Sequence, residues 1–363
     1  MTEGSEDMSS DHYESSDPAA VTPDAPPFFQ MGAMKAPLPG SLPPLASKID
    51  YEALRQKRMA EVDEETRWIN QPFGVFPEGA APPPPPHVLA PGLKAWNVEI
   101  PGPARPLQAR IIMPEATDGP VGLYFHTHGG GWFGFNGLDG CDTDNSGYAT
   151  GFGTAVIQVD HRVSWEAKFP AQVEDSFAVY KWILANAGEI GIDPTRIGIG
   201  GGCTGANIAT VVSLMARDAG LQKPAVQWLW TPVFDTRNNT RSYEEFANYS
   251  LTQTLAETVT RLYLRSKEDT FDWRASPLLV ESVEGLSPAI IWAGEWEVLR
   301  DESRQYADRL RHAGVDVHYI EGPQQPHAGI YALNRQTGEP TRYSKETVPK
   351  INALMRRYIG PKA

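Results

Sequence analysis

Cysteine is scarce: the 363 residues hold only Cys141 and Cys203. Two thiols cannot staple a disulfide scaffold, and a free thiol is most easily kept in a reducing compartment. Positive charge is also in deficit, with 32 Lys and Arg against 45 Asp and Glu and a formal charge of -13. That balance excludes the clustered basic surface that meets a nucleic-acid backbone. No apolar run approaches the roughly 20 residues of a membrane span. The opening stretch "MTEGSEDMSSDHYESSDPAAV" has no basic segment followed by an apolar core, so it does not read as a secretory signal. No internal repeat is present. What remains is the expectation of a soluble, cytoplasmic protein whose 41% hydrophobic residues can fill one large core or two modest ones.

Composition divides the chain. Residues 1–30 are rich in Ser, Asp, Glu and Pro and read as a disordered tail. Residues 31–92 read as an N-terminal cap helix and a linker. The helix is expected over Lys48 to Ile69, where Tyr51, Leu54, Met59 and Val62 recur at near-helical intervals; the linker contains five prolines, Pro82 to Pro86. Such a run serves as a stiff spacer or as a proline-rich ligand for another protein.

From residue 93 to the C-terminus the pattern alternates between strand and helix. "NVEI", "QARIIM", "VGLYFH", "TAVIQVD", "RIGIGG", "AVQWLWTPVF", "PAIIWAGEW" and "VDVHYIEG" read as strands. Between and after them, "FPAQVEDSFAVYKWILANAGEIG", "TGANIATVVSLMARDAG", "RDESRQYADRLRHAG" and "YSKETVPKINALMRRYI" read as helices. This order implies an α/β fold with a mostly parallel central sheet covered on both faces. The polar, helix-prone stretch near 235–275 interrupts it and reads as a helical cap insertion over the sheet edge.

Three motifs carry chemistry. In "GGCTG", Gly201 to Gly205, Cys203 stands at the apex of a strand–turn–helix that would project a nucleophile above the sheet. Alone, the same residue is equally a small packed thiol. The turn lacks the lysine of a Walker motif and the spacing of a dinucleotide fingerprint, which argues against phosphate. Upstream, "HGGGW" places Gly129, Gly130 and Gly131 directly after a strand, where backbone N–H groups, with that of Thr204, could receive a developing oxyanion. His126 and His128 stand nearby without a recognisable ligand set, so no metal and no cofactor is expected; they read as braces for the loop. Downstream, His327 lies in a turn-rich loop after the last strand, positioned to act as general base. Glu297, just beyond "AIIWAG", is the acid expected to orient it, with Asp301 the competing choice. The cap stretch near 235–275 and the loops near Trp132, Phe133 and Phe135 are candidates for an apolar substrate cleft, or these aromatics simply pack the cap.

With "HTHGGGW", "VDHRVSWEAKFPAQVEDS", "GGCTGANIA", "ASPLL", "AGEWEVLRDES" and "GPQQPH" in order from about Val98 to the C-terminus, the chain resembles the hormone-sensitive-lipase-like branch of the α/β-hydrolase family. The resemblance implies an α/β-hydrolase fold with a helical cap, hydrolysis of carboxylic esters and no metal cofactor. It puts Cys203 on the family's serine, Glu297 on its aspartate and His327 on its histidine, and it puts Gly129, Gly130 and Thr204 on the oxyanion donors. Gly202 stands where the family usually has an acidic residue, and Arg162, Glu166 and Asp175 fall on a segment read as structural. The implied reaction is acyl transfer through a Cys–His–Glu triad and an acyl-cysteine, ending in hydrolysis of a thioester or ester, or in transfer or cyclisation onto an alcohol, amine or thiol. A non-catalytic receptor on the same fold, and a cysteine that has replaced an original serine, are the other readings. The partner expected is a small-molecule acyl substrate, with a homodimer compatible.

Overall fold

The computed structural model describes residues 49–73, 88–134 and 137–362. The expected tail at 1–30, the prolines at 82–86 and Phe135 lie outside the described residues.

The centre is an eight-stranded sheet in the order β1-β2-β4-β3-β5-β6-β7-β8. These strands are β1 (Leu93–Ile100), β2 (Leu107–Pro114), β3 (Val121–Thr127), β4 (Ala155–Val159), β5 (Ile192–Gly202), β6 (Val226–Trp230), β7 (Ala289–Gly294) and β8 (Val317–Gly322). β2 pairs antiparallel with both β1 and β4, and from β4 to β8 every pairing is parallel. The parallel strands are buried on both faces, which is why "GLYF" and "AIIWAG" are nearly continuous apolar runs rather than alternating ones. One face carries α4 (Ala171–Asn186), α5 (Thr204–Asp218) and α8 (Arg300–His312); the other carries α3 (Asp142–Phe152) and α9 (Arg342–Ile359).

One local expectation needs correction, and one helix was not expected. The single helix expected over Lys48 to Ile69 is two, α1 (Tyr51–Glu61) and α2 (Glu64–Ile69). Asp63 breaks it: its carboxylate accepts the Thr66 N–H at 2.8 Å and so caps a new helix. The unexpected helix is α3, whose sequence "DTDNSGYATGF" has too many weak helix formers to announce itself. Packing makes it a helix. Tyr148 and Phe152 set their rings edge-on to Tyr124, Asp142 takes the Arg110 guanidinium at 2.6 Å, and Gly153 closes the end at φ +69°.

Within the 235–275 stretch lie α6 (Arg241–Glu245) and α7 (Gln253–Tyr263). The N-terminal helices fold against this region. Arg58 pairs with Glu245 at 2.7 Å, the Phe73 N–H donates to Ser250 O at 2.9 Å, and Asn70 reaches Gln324 O at 3.0 Å. Residues 49–73 thus bridge the α6–α7 region and the loop that carries His327.

Candidate active site

β5 ends at Gly202, α5 begins at Thr204, and the whole reversal falls on Cys203, which adopts φ +55° and ψ -123°. A non-glycine residue in that region is strained and needs its surroundings to hold it. They do so through the backbone: the Cys203 N–H donates to Trp230 O at 3.0 Å, and its carbonyl accepts from Asn207 N at 3.3 Å and Val233 N at 3.4 Å. Gly201 and Gly205 are glycines because a Cβ on either would run into the carbonyl of Thr127. At Gly202 the obstacle is the Trp230 indole, which occupies the space a side chain would need. The acidic residue expected by resemblance at that position has no room.

His327 lies near enough to Cys203 for the charge of one to act on the other. His327 Nδ1 meets Glu297 Oε2 at 2.9 Å, and Glu297 Oε1 accepts the Gly294 N–H at 2.6 Å. His327 and Glu297 are 4% and 1% exposed, so the relay lies out of bulk water. Burial alone would lower the His327 pKa. The charge of Cys203, joined by the charge and hydrogen bond of Glu297, outweighs it and raises the pKa to about 10. The alternative acid, Asp301, is engaged elsewhere: it accepts the Ser242 N–H at 3.0 Å and pairs with Arg300 at 2.8 Å. Phe73 sets its ring edge against the His327 imidazole, with centroids 5.9 Å apart.

The glycine loop lies against this turn. A Cβ on Gly129 would stand 3.5 Å from the Cys203 Cβ, and Gly130, Gly131 and Trp132 follow at φ +104°, +68° and +55°. Thr204 contributes twice. Its hydroxyl accepts the Trp132 N–H at 3.2 Å, and as the first residue of α5 its own N–H has no partner inside the helix. Ser164 holds Trp132 from the other side, with its N–H and hydroxyl on the Trp132 carbonyl at 2.7 and 2.8 Å. That segment is anchored in turn by Arg162 on Asp175 and by Glu166 on the Val163 N–H. His128 Nδ1 meets the Gly129 carbonyl at 2.8 Å and stacks on His161 with centroids 4.0 Å apart; His126 Nδ1 meets Asn145 at 2.8 Å. Burial pushes all three histidines down, His126 to about 4 and His161 to about 3, so they are neutral near pH 7. Among the described residues no cluster of His, Cys, Asp and Glu is arranged to hold a metal.

A cavity of about 20 Å³ opens beside Cys203, room for roughly one water-sized group before its walls shift. Its lining is mainly apolar, from Trp132, Val233, Leu251, Leu255, Val259 and Leu299. Of the three aromatics singled out in the sequence, Trp132 is there, stacked flat on Tyr263 at 4.0 Å. Phe133 packs partly buried against the main core and is not among the residues lining this cavity. α7, within the stretch expected to form part of the cleft, lines it with Leu255, Ala256 and Val259, which repeat at helical spacing and are buried.

A sharp strand–turn–helix at the carboxyl edge of a parallel sheet, faced by a glycine loop and a buried His–Glu pair, is the framework of the α/β-hydrolase fold. A family model described as alpha/beta hydrolase fold matches residues 124–330, more than half of the chain, and the chain belongs to that family. It is similar to the carboxylic ester hydrolase LipN of Mycobacterium tuberculosis, 37% identical over 233 residues, 62% of this chain and 61% of that protein. It is also similar to an arylesterase of Saccharolobus solfataricus, 30% identical over 239 residues, 65% of this chain and 74% of that one. The match with LipN therefore spans less than two thirds of that relative. Among solved structures, a bacterial heroin esterase superposes with a TM-score of 0.69 at 26% identity, covering 86% of this chain and 90% of its own. No helix among the described residues is long and apolar enough to cross a membrane.

Proposed function

We propose that this protein is a carboxylic ester or thioester hydrolase in which Cys203 is the nucleophile, His327 the general acid and base, and Glu297 the residue that orients His327. The observation that carries the reading is the buried His327–Glu297 pair, anchored on the Gly294 N–H, together with the sharp turn that sets Cys203 beside the glycine loop. The esterase names of the relatives support ester chemistry.

The Cys203 sulfur, its proton held by His327, attacks the acyl carbonyl carbon. A sulfur–carbon bond forms, and the carbonyl electrons move onto oxygen, where the N–H groups of Gly129, Gly130 and Thr204 receive the charge. Collapse breaks the bond to the leaving group, which takes the proton from His327. His327 then accepts a proton from water as its oxygen attacks the acyl-cysteine, returning the acid and free Cys203. A thiolate leaves more readily than an alkoxide, so the first intermediate partitions forward best when the donor is a thioester or activated ester. The apolar lining of the cavity and the buried His327 favour a second outcome, in which an alcohol, amine or thiol replaces water and the reaction is transfer or cyclisation.

The test is mass spectrometry of the Cys203 peptide after mixing with a thioester and with its oxygen-ester counterpart. An acyl adduct on Cys203, absent in Cys203→Ala and consumed by added amine or alcohol, is the expected result. Turnover that survives Cys203→Ala would sink covalent catalysis, and a gain confined to Cys203→Ser would show the site to be tuned for serine.

A further inference from the structure

Gly129, Gly130 and Gly131 have no side chains by which to be held, so their register against the turn at Cys203 is set by their neighbours. Thr127 precedes the loop at the end of β3, and Trp132 follows it at φ +55°. Each end is tied to the turn through a threonine hydroxyl. That of Thr127 donates to Gly205 O at 2.8 Å and reaches Gly200 O at 3.1 Å, one carbonyl on each side of Cys203. That of Thr204 accepts the Trp132 N–H at 3.2 Å.

The partners fix the direction of both bonds. A carbonyl can only accept, so Thr127 donates; an amide N–H can only donate, so Thr204 accepts. Thr127, Trp132 and Thr204 are 0%, 1% and 1% exposed, so bulk water does not compete for these groups. The Thr127 backbone is fitted to the turn as closely as its hydroxyl, since a Cβ on Gly201 or Gly205 would strike its carbonyl. At the far end Ser164 holds the Trp132 carbonyl and Tyr263 its ring, and Thr204 supplies the tie to the turn itself. The expected oxyanion donors come from two segments, and the Thr204–Trp132 bond spans 72 residues to join them. Such donors act on developing charge most strongly when their positions are set beforehand.

We propose that the hydroxyls of Thr127 and Thr204 are positioning groups for oxyanion stabilisation: they hold the N–H groups of the glycine loop in register with that of Thr204, and they act through those N–H groups rather than on the substrate. The inference rests on the reading of Cys203 as nucleophile and of the glycine loop as receiver of the oxyanion. A valine in either place would fill the same volume and lose the tie. At position 204 it would also leave the Trp132 N–H buried without this acceptor.

The probe is 1,1,1-trifluoroacetone carrying carbon-13 at its carbonyl. Addition forms a bond from the Cys203 sulfur to that carbon, moves the carbonyl electrons onto oxygen and leaves the thiol proton on His327. The carbon shift of the adduct, followed against pH by NMR, gives the midpoint at which the oxygen takes up a proton. Thr127→Val and Thr204→Val should each raise that midpoint by about one unit, an about tenfold loss of preference for the oxyanion. Thr127→Ser and Thr204→Ser, which keep the hydroxyl, should retain the parent midpoint. Thr127→Ala and Thr204→Ala, which remove the hydroxyl by truncation, should shift it as the valines do, so that a valine that misfits its site does not decide the outcome. A midpoint common to all the proteins overturns the threonine assignment, and so does a serine variant that shifts as far as its valine counterpart. A Cys203 that forms no adduct in the unaltered protein defeats the nucleophile reading itself, and this inference with it.

Discussion

The carboxylate of Glu297 joins two parts of the chain, with Oε2 2.9 Å from Nδ1 of His327 and Oε1 2.6 Å from the N–H of Gly294 at the end of β7. The strand end fixes the carboxylate, and the carboxylate fixes the imidazole. Glu297→Gln keeps the shape and removes the charge, so acylation of Cys203 should slow by about 10²- to 10⁴-fold. Asp301→Asn should leave that rate nearly unchanged, because Asp301 spends its oxygens on Ser242 and Arg300. Rapid-quench measurement of adduct formation separates the two carboxylates, and equal losses would refute the assignment.

His327 has a second consequence, for stability. Its pKa is about 10 in the fold against an ordinary value of 6.5. A histidine with a raised pKa contributes stability that is fully present below about pH 6.5 and is lost as pH rises through about 10. In Cys203→Ala the largest upward influence is gone, so the imidazole should titrate at a lower pH and this loss of stability should set in earlier. Imidazole NMR titration of both proteins, with denaturant midpoints at matched pH values, checks the direction. An unchanged His327 titration in the variant would contradict the pairing with Cys203.

His161 is the opposite case. It is fully buried against His128, neither of its ring nitrogens has a partner among the described residues, and its pKa is lowered to about 3. A histidine kept neutral in the fold is protonated preferentially when unfolded, so stability falls as pH drops from about 6.5 toward 3. His161→Phe should retain the stack and flatten that acid limb, while costing little at pH 7 because no hydrogen bond is lost. Thermal melts from pH 4 to 8 measure it, and an acid limb identical to that of the parent would count against the prediction.

Trp230 and Gly202 compete for one volume. Gly202→Asp should destabilise by about 1–3 kcal/mol through overpacking against the indole. In a Trp230→Ala background the same substitution should cost less, giving a measurable coupling between the two sites in urea denaturation. Additive effects would mean that the indole is not what excludes a side chain at position 202.

Much of this architecture was legible in the chain, and for identifiable reasons. Strand and helix signals are local, so "VGLYFH", "AVQWLW" and the helix after Cys203 declare themselves by period and by flanking glycine. The glycine loop and the turn at Cys203 are legible for the same reason: each requires backbone geometry that few residues but glycine allow. α3 was hidden because its helical state comes from Tyr148 and Phe152 packing on Tyr124, not from its own propensity. The break at Asp63 was hidden because a cap residue inside a helical pattern reads equally as an exposed polar position.

The sequence by itself determined the alternation of strand and helix, the place of the sharp turn, and the order Cys203, Glu297, His327, since each depends on residues near one another in the chain. Only the tertiary structure decided which carboxylate reaches the imidazole and that Trp230 fills the space beside Gly202. Those outcomes depend on side chains that meet from distant segments, and their positions are set by how the sheet, the α6–α7 region and the N-terminal helices pack, which no local pattern records.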